Sequence, residues 1–337
     1  MGLSAAIYGC AGTALGESEK RFFRETQPWG FILFARNIET PAQIRRLVGE
    51  LREAAGHEAP VLIDQEGGRV ARLKPPHWRA YPAGRRYGEV YERSREQGLE
   101  AARLGARLIA AELHALGINV DCLPVLDVPV PGAHDVIGDR AYGLTPEPVI
   151  ALGRAVAEGL LAGGVLPVIK HIPGHGRAGV DSHLSLPVMD TDRDTLARTD
   201  FVPFKALADM PLAMTAHVVY TALDVDAPAT TSAKVIAEIV RRDIGFDGFL
   251  MSDDLSMQAL AGTLGQRTRA SLAAGCDIVL HCNGKMDEME AVSAEVPMLT
   301  GKGLARSDAA LARLGTPDAF DEAAGAARLA ELLGAKA

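Results

Sequence analysis

Three histidines and one aspartate lie within residues 170–187, KHIPGHGRAGVDSHLSLP, directly after the apolar run VLPVI. Histidine exchanges protons near neutral pH and is also the commonest metal ligand. Glycine and proline favour sharp turns, so the segment is typical of a loop. It could form a phosphate-binding loop, a metal site or an acid/base device.

The phosphate-binding interpretation rests on GHGRAG at residues 174–179, which matches G-x-G-x-x-G after an apolar strand. That pattern should open a helix whose amino-terminal end holds the phosphates. Here VDSHLSLPVMD follows, and Pro187 blocks a helix. The sequence therefore argues against a dinucleotide site.

A metal site would draw on His171, His175 and His183, which are spaced by four and eight residues. This spacing falls in a glycine-rich loop rather than on the helix face that H-E-x-x-H sites use. Ligands on a loop can still converge, so this interpretation stays open. Its further ligands would be Asp64, Asp181, His217 and Asp253.

An acid/base device would use Asp181 and His183. Residues two apart in an extended segment point to the same side, so the carboxylate can hydrogen-bond one imidazole nitrogen and leave the other for a substrate. A mobile loop could carry this histidine over a bound ligand. The alternative, a loop that is only held together by local hydrogen bonds, fits the spacing equally well.

The segment LMSDDLSM, residues 250–257, places Asp253 and Asp254 at the end of another apolar run. An ionised aspartate there could attack a carbon centre or stabilise a developing cation. An aspartate and a proton donor are the minimum apparatus of a retaining glycosidase. One of the two, Asp254, could instead cap a helix at LSMQALAG.

Eight short apolar runs with strand character recur along the chain, and most are separated by helical segments such as PAQIRRLVGELREAAG. The runs are nearly continuous, which indicates parallel strands covered on both faces. We predict a (β/α)8 TIM-type barrel, with a doubly wound sheet plus a second domain as the alternative. The runs are AAIYGC from Ala5, WGFILFA from Trp29, PVLIDQE from Pro60, INVDCLPV from Ile118, VLPVIKH from Val165, LAMTAHV from Leu212, GFLMSDD from Gly248 and CDIVLHC from Cys276.

Polar residues stand where these runs end, and a barrel gathers the carboxyl ends of its strands on one rim. We expect a site at that rim for a ligand rich in hydroxyls or charge. Any single residue, His281 especially, could instead only satisfy the neighbouring loop backbone. The residues are Asp64, Asp121, Lys170, His171, His217, Asp253, Asp254 and His281.

Composition narrows the class of protein. The 337 residues carry a net charge of −8 with scattered lysines and arginines, so we expect no nucleic-acid partner. No apolar run reaches the roughly 20 residues that span a bilayer, so we expect no membrane partner. Four cysteines without framework spacing suit reduced, buried thiols. We predict a cytoplasmic, single-domain protein over residues 1–337, with a helical segment at 318–337.

The motifs resemble those of family 3 glycoside hydrolases, and within that family the cytoplasmic single-domain β-N-acetylhexosaminidases of peptidoglycan recycling. The resemblance covers roughly residues 5–285. It rests on WGFILFARNI, LIDQEGGRVARL, LPVLDV, IGDRAYG, VIKHIPGHG, DSHLSLP, MTAHVVYTALD, GFLMSDDLSM and AGCDIVLHCN, in this order.

The resemblance implies catalytic roles for three residues: Asp253 as the nucleophile, His183 as the general acid/base and Asp181 as the partner that orients it. Asp254 is the second choice for the nucleophile. The family's sugar-binding pattern falls on Asp64, Arg72, Arg140, Lys170 and His171.

The implied substrate is a muropeptide fragment with a terminal β-linked N-acetylglucosamine, most simply on 1,6-anhydro-N-acetylmuramic acid. The resemblance implies no cofactor and no metal. The loop departs from the family in carrying Arg177-Ala178 where Asp-Thr is common. Two alternatives stay open: phosphorolysis of the same linkage, which a histidine acid/base would tolerate, and a metal-dependent hydrolase.

Overall fold

Eight parallel strands close into a barrel in the computed structural model, which describes residues 2–182 and 185–334. All eight apolar runs form barrel strands, so the predicted (β/α)8 fold is confirmed and the open-sheet alternative is wrong. In barrel order the strands are β1 Ser4–Tyr8, β2 Pro28–Leu33, β3 Val61–Ile63, β6 Val120–Asp121, β7 Leu166–Ile172, β9 Leu212–Thr215, β11 Phe249–Asp254 and β12 Ile278–His281.

Two small sheets lie outside the barrel. Strands β4 Gln65–Gly67 and β5 Val70–Ala71 form an antiparallel hairpin directly after β3. Strands β8 Val188–Met189 and β10 Val219–Tyr220 pair in parallel and follow β7 and β9. Each of these strands therefore extends a loop at the carboxyl end of a barrel strand.

Helices cover the outside of the barrel. They are α1 Glu17–Thr26, α2 Pro41–Ala55, α3 Gly84–Arg93, α4 Arg95–His114, α5 Pro146–Ala162, α6 Arg193–Arg198, α7 Phe201–Ala206, α8 Leu264–Ala274, α9 Met286–Ser293, α10 Gly301–Leu311 and α11 Glu322–Leu333. The segment Val235–Asp243 has π-helical hydrogen bonding. The sequence sets the ends of α2: Thr40 caps its first turn beside Pro41, and Gly56 closes it with φ 74°.

Alternate residues of each strand point into the barrel, as the pleat of a strand requires. On β11, Phe249 and Met251 face the barrel interior, whereas Leu250 faces the helices. Trp29 fills the amino-terminal end, with its ring 5.1 Å from that of Phe249 and its indole nitrogen donating to Ser307 Oγ at 2.7 Å. Packing thus closes this end and leaves the opposite rim for a cavity.

The carboxyl-terminal helix α11 packs on α4. Leu329 and Leu332 are buried, and Arg328 forms two hydrogen bonds of 2.8 Å with the Glu100 carboxylate. The four cysteines are free and buried. Within the two described ranges, no helix is long and apolar enough to cross a membrane.

Candidate active site

A cavity of about 300 Å³ opens at the carboxyl-terminal rim of the barrel. Its lining combines charged and apolar side chains, the pattern expected of a pocket for a polar ligand with hydrocarbon faces. Among its lining residues are the charged and polar side chains of Asp64, Glu66, Arg72, Arg140, Lys170, His171, His175, Ser182, Asp253 and Asp254, and the apolar side chains of Phe34, Val70, Val136, Ile137, Met214 and Met257.

Five charged side chains form one continuous ion-pair cluster on the floor of the cavity. Lys170 Nζ lies 2.8 Å from Asp64 Oδ1 and 2.7 Å from Glu66 Oε1. Arg72 Nη2 donates to Asp64 Oδ2 at 3.0 Å. Arg140 grips Glu66 with two hydrogen bonds of 2.8 Å. Two carboxylates are thereby matched by three cations, and the cluster carries one excess positive charge.

Burial disfavours each of these charges, but the opposite charges outweigh it. Burial raises the pKa of Asp64, yet Lys170 and Arg72 hold that pKa below its usual range. Burial also raises the pKa of Glu66, yet Arg140 and Lys170 lower it to about 2. For Lys170, burial lowers the pKa while Asp64 and Glu66 raise it above its ordinary value. The cluster is therefore fully ionised at neutral pH.

Asp121 lies behind this cluster and was expected at the rim. It is fully buried, and its Oδ1 accepts a hydrogen bond from the Gln65 backbone at 2.9 Å. Burial raises the pKa of Asp121 to about 8. Near neutral pH this carboxyl is mostly protonated, so it adds little negative charge next to Asp64 and Glu66.

A second network fixes His171. Its Nδ1 lies 2.7 Å from Asp127 Oδ2, and its backbone nitrogen donates to Asp127 Oδ1 at 3.2 Å. Burial raises the pKa of Asp127, but the charge and the hydrogen bond of His171 lower it, so the aspartate is ionised. An ionised carboxylate only accepts, hence Nδ1 donates and Nε2 is the ring atom that a ligand in the cavity can use.

Two adjacent aspartates at the end of β11 have different surroundings. Asp254 Oδ1 accepts from the backbone nitrogens of Ser256, at 3.0 Å, and Cys282, at 3.2 Å. Both aspartates line the cavity. Asp254 holds the turn after β11, whereas Asp253 Oδ1 accepts from the Asp254 backbone nitrogen at 2.8 Å. The helix cap expected of Asp254 is wrong, because the next helix begins at Leu264 with Thr263 as its cap.

Two histidines expected at the rim have structural positions instead. His217 Nδ1 lies 2.7 Å from Thr230 Oγ1 and its Nε2 lies 3.0 Å from the Asp254 carbonyl oxygen, so both ring nitrogens are engaged. His281 follows Leu280 on β12 and points away from the interior, where its Nε2 lies 3.7 Å from Glu288 Oε2. His281 ends β12 as expected, but alternation along the strand turns its side chain away from the cavity.

Of the predicted acid/base pair, Asp181 and His183, the structure describes only the aspartate. Asp181 is described and half-buried, whereas His183 lies outside the described residues. The loop before them is anchored: Arg177 Nε donates to Asp200 Oδ2 at 2.7 Å, and the His134 backbone nitrogen donates to the Ala178 carbonyl at 2.8 Å. Arg177 therefore contacts the turn between α6 and α7.

Sequence reasoning missed Glu66 and Asp127. A signal existed for Glu66, because it stands two residues after Asp64 and strand alternation puts both on one face. For Asp127 the signal was a lone charge within the apolar LPVLDVPV. Arg69 was also missed; from the β4–β5 turn it donates to the carbonyls of Val136, at 3.0 Å, and Ile137, at 3.2 Å, and so holds the cavity wall.

The positions of these histidines and aspartates do not support the metal-site interpretation. In the part of the chain that the structure describes, no group of three or more His, Cys, Asp and Glu side chains is placed to share a metal ion. Of the histidines proposed as ligands, His171 uses its Nδ1 on Asp127, and His175 places its Nε2 3.1 Å from Ser182 Oγ.

Comparisons with known proteins point to one family. The family model described as Glycosyl hydrolase family 3 N terminal domain matches residues 14–315. A Beta-hexosaminidase from Thioalkalivibrio sulfidiphilus is 42% identical over 289 residues, covering 84% of this chain and 82% of the relative. One from Bordetella avium is 39% identical over 277 residues, covering 81% and 79%.

Solved structures agree with the sequence relatives. NagZ from Neisseria gonorrhoeae, in complex with N-trifluoroacetyl-D-glucosamine, superimposes with a TM-score of 0.88 at 32% sequence identity. The match covers 99% of this chain and 98% of that one. The similarity therefore extends over the whole barrel and not only over the motifs.

We predict that Glu66→Gln destabilises the fold by about 3–5 kcal/mol at pH 7, because it leaves two buried cations short of a counter-charge. The pKa of Glu66 is about 2 in the folded chain and about 4.3 in an unfolded one. Its ion pairs therefore stabilise above pH 4.3 or so and are lost as pH falls towards 2. Urea unfolding at several pH values should show the difference between variant and parent shrink over that range.

Glu92→Gln is the matched control, because Glu92 also receives two hydrogen bonds from one arginine, Arg85, but at an exposed position. Exposed pairs contribute about 0–1 kcal/mol. A loss in Glu66→Gln no larger than in Glu92→Gln would contradict a structural role for the cluster.

Proposed function

The chain belongs to glycoside hydrolase family 3, and from that premise we propose a retaining β-N-acetylhexosaminidase that acts on muropeptide fragments. The bond cleaved is that between a terminal β-linked N-acetylglucosamine and 1,6-anhydro-N-acetylmuramic acid. The process served is peptidoglycan recycling, and the proposed location is the cytoplasm. The proposed chemistry uses no cofactor and no metal.

One observation carries the proposal: Asp253 lines the same cavity as the ion-pair cluster. A pyranose is a neutral polyol, which is best fixed by charged groups that donate and accept several hydrogen bonds. The two carboxylates can accept from sugar hydroxyls, and Arg72, Arg140 and Lys170 can donate to them. His171 offers its Nε2 beside them. A carboxylate at the edge of such a floor is suited to act at the anomeric carbon.

The proposed mechanism has two displacements. In the first, Asp253 attacks the anomeric carbon and His183 protonates the departing glycosidic oxygen, which gives a covalent glycosyl-enzyme. In the second, His183 takes a proton from water, which displaces Asp253 with the sugar's original configuration retained. Asp181 orients the imidazole and favours its protonated form.

The division of labour between the two aspartates supports this assignment. Asp254 already accepts hydrogen bonds from Ser256 and Cys282, so its carboxylate is committed to the turn. Asp253 projects into the cavity by strand alternation, where an attacking carboxylate is needed. Asp254 thus holds the turn that aims its neighbour.

The glucosamine specificity is supported by the relatives. Two of them are named Beta-hexosaminidase, and the similar NagZ structure holds an N-acylated glucosamine. The anhydromuramyl half of the substrate rests on the resemblance of the motifs to peptidoglycan-recycling members of the family. It is the finer and more testable half of the proposal.

The test of the activity compares an aryl N-acetyl-β-glucosaminide with the corresponding β-glucoside. We expect rapid release of free N-acetylglucosamine from the first and little cleavage of the second. Activity should persist in chelator, because carboxylate and imidazole suffice for the chemistry. Natural GlcNAc-1,6-anhydro-N-acetylmuramic acid should be cleaved as well.

Three outcomes would contradict the proposal. Failure to cleave either aryl substrate would remove the activity. Loss of activity in chelator would favour the metal-dependent hydrolase. Phosphate-dependent release of sugar 1-phosphate in place of free sugar would favour phosphorolysis of the same linkage.

We predict that His183→Ala loses about 10²–10⁴ in rate on substrates with a poor leaving group, because it removes general acid catalysis. The loss in the glycosylation step should be much smaller for a dinitrophenyl glycoside, whose leaving group departs without a proton. Pre-steady-state measurement of the first phenol released isolates that step.

His77→Ala is the control, because His77 is exposed and is not among the residues that line the cavity. It should match the parent on both substrates. Equal losses in His183→Ala for good and poor leaving groups would show that His183 is not the acid.

A further inference from the structure

His175 has no part in the mechanism above, although it belongs to the same loop. Its side chain is 2% exposed, and its ring meets that of His171 edge to face at 5.6 Å between centroids. A buried polar ring carries a desolvation cost, so a fold retains it where it makes a specific contact. The contact that His175 makes is with Ser182.

The backbone of His175 is fixed to the barrel. Its nitrogen donates to Asp127 Oδ1 at 2.7 Å, on the same carboxylate that orients His171. On either side of it, Tyr220 Oη donates to the Gly174 carbonyl at 2.6 Å, and Gly176 packs so closely on Val128 that a Cβ would lie 2.1 Å from its carbonyl oxygen. The imidazole thus projects from a rigid base.

The other end of the contact lies next to the catalytic pair. His175 Nε2 is 3.1 Å from Ser182 Oγ, and Ser182 is 3% exposed while lining the cavity. In the sequence, Ser182 stands between Asp181 and His183. A hydrogen bond to Ser182 therefore restrains the backbone that connects Asp181 to His183.

We propose that His175 is a positioning residue, whose hydrogen bond to Ser182 fixes the loop between Asp181 and the proposed acid/base, His183. This inference rests on the proposed function, in which His183 is the acid/base. Catalysis by a proton donor is sensitive to displacements of about 1 Å, so one buried hydrogen bond at its chain neighbour is a direct means of control.

The imidazole is suited to this position because it is neutral. Burial, and after it the nearby charge of His171, lower the pKa of His175 to about 4. At neutral pH it therefore adds no positive charge beside the cavity and leaves His183 as the loop's proton carrier. The Arg177–Asp200 ion pair holds the side of the loop that faces away from the cavity. The His175–Ser182 hydrogen bond holds the side that lines the cavity.

The test uses a double-mutant cycle of Ser182→Ala, His175→Phe and their combination in the full chain. Both single changes remove the same hydrogen bond, and phenylalanine keeps an aromatic ring of similar shape. Ser182→Thr restores a hydroxyl. Ser18→Ala and His77→Phe, at exposed positions, are the matched controls.

For substrates with a poor leaving group, we expect each single variant to lose about tenfold in kcat/KM, the effect of one hydrogen bond. The double variant should lose less than about twofold more, because the bond is already absent. Dinitrophenyl glycosides in the glycosylation step should lose less than about twofold, and the inhibition constant of free N-acetylglucosamine should not change. Ser182→Thr should recover most of the activity.

If His175 had only a structural role, its replacement would lower the rates on all substrates equally, weaken N-acetylglucosamine binding, or give additive losses in the double variant. Each of these results would overturn the proposal. A second measurement is independent of turnover: hydrogen–deuterium exchange of residues 179–187 should accelerate in Ser182→Ala and His175→Phe but not in the controls. Unchanged exchange would also overturn it. If the parent cleaves no N-acetylglucosaminide, the proposed function fails while the exchange result still decides whether the attachment exists.

Discussion

The structure of the cavity depends on one constraint: two carboxylates and three cations must be buried together, with each carboxylate paired to two of the cations. Lys170 is 2% exposed and satisfies both Asp64 and Glu66, so it joins two ion pairs that would otherwise be separate. Arg72 and Arg140 close the two ends. Because each of these five side chains is held by an ion pair within the cluster, its donors and acceptors are already oriented before a ligand arrives, which lowers the entropic cost of binding.

The barrel makes this arrangement possible because residues distant in sequence end their strands at one rim. Asp64 comes from β3, Lys170 from β7 and Asp253 from β11, and strand alternation turns all three towards the interior. The hairpin β4–β5 adds Glu66 and Arg72 from beside the rim. Further polar residues support these side chains. Asp127 orients His171 and holds the backbone of His175, and Asp254 holds the turn after Asp253. Asp121 is mostly protonated and therefore adds little negative charge beside Asp64 and Glu66.

Much of this could be predicted from the sequence, because the signals were local. The eight apolar runs predicted the eight barrel strands, and the polar residues at their ends predicted a site at the carboxyl-terminal rim. The resemblance to family 3 glycoside hydrolases supplied Arg72 and Arg140, which stand in loops where periodicity says nothing. The sequence did not predict the directions of individual side chains. His281 ends a strand but faces the helices, and both ring nitrogens of His217 are engaged by Thr230 and a backbone carbonyl. Glu66 and Asp127 were missed because their importance lies in partners that are 104 and 44 residues away, Lys170 and His171.

The proposed covalent step at Asp253 connects the cavity to its chemistry, and trapping the intermediate tests this step most directly. A fluorinated N-acetylglucosaminyl fluoride, which forms the glycosyl-enzyme faster than water removes it, should add one sugar to the intact mass of the protein. Peptide mapping should place that sugar on Asp253. A sugar found on Asp254, or steady turnover without any adduct, would contradict the two-displacement mechanism with Asp253 as its nucleophile.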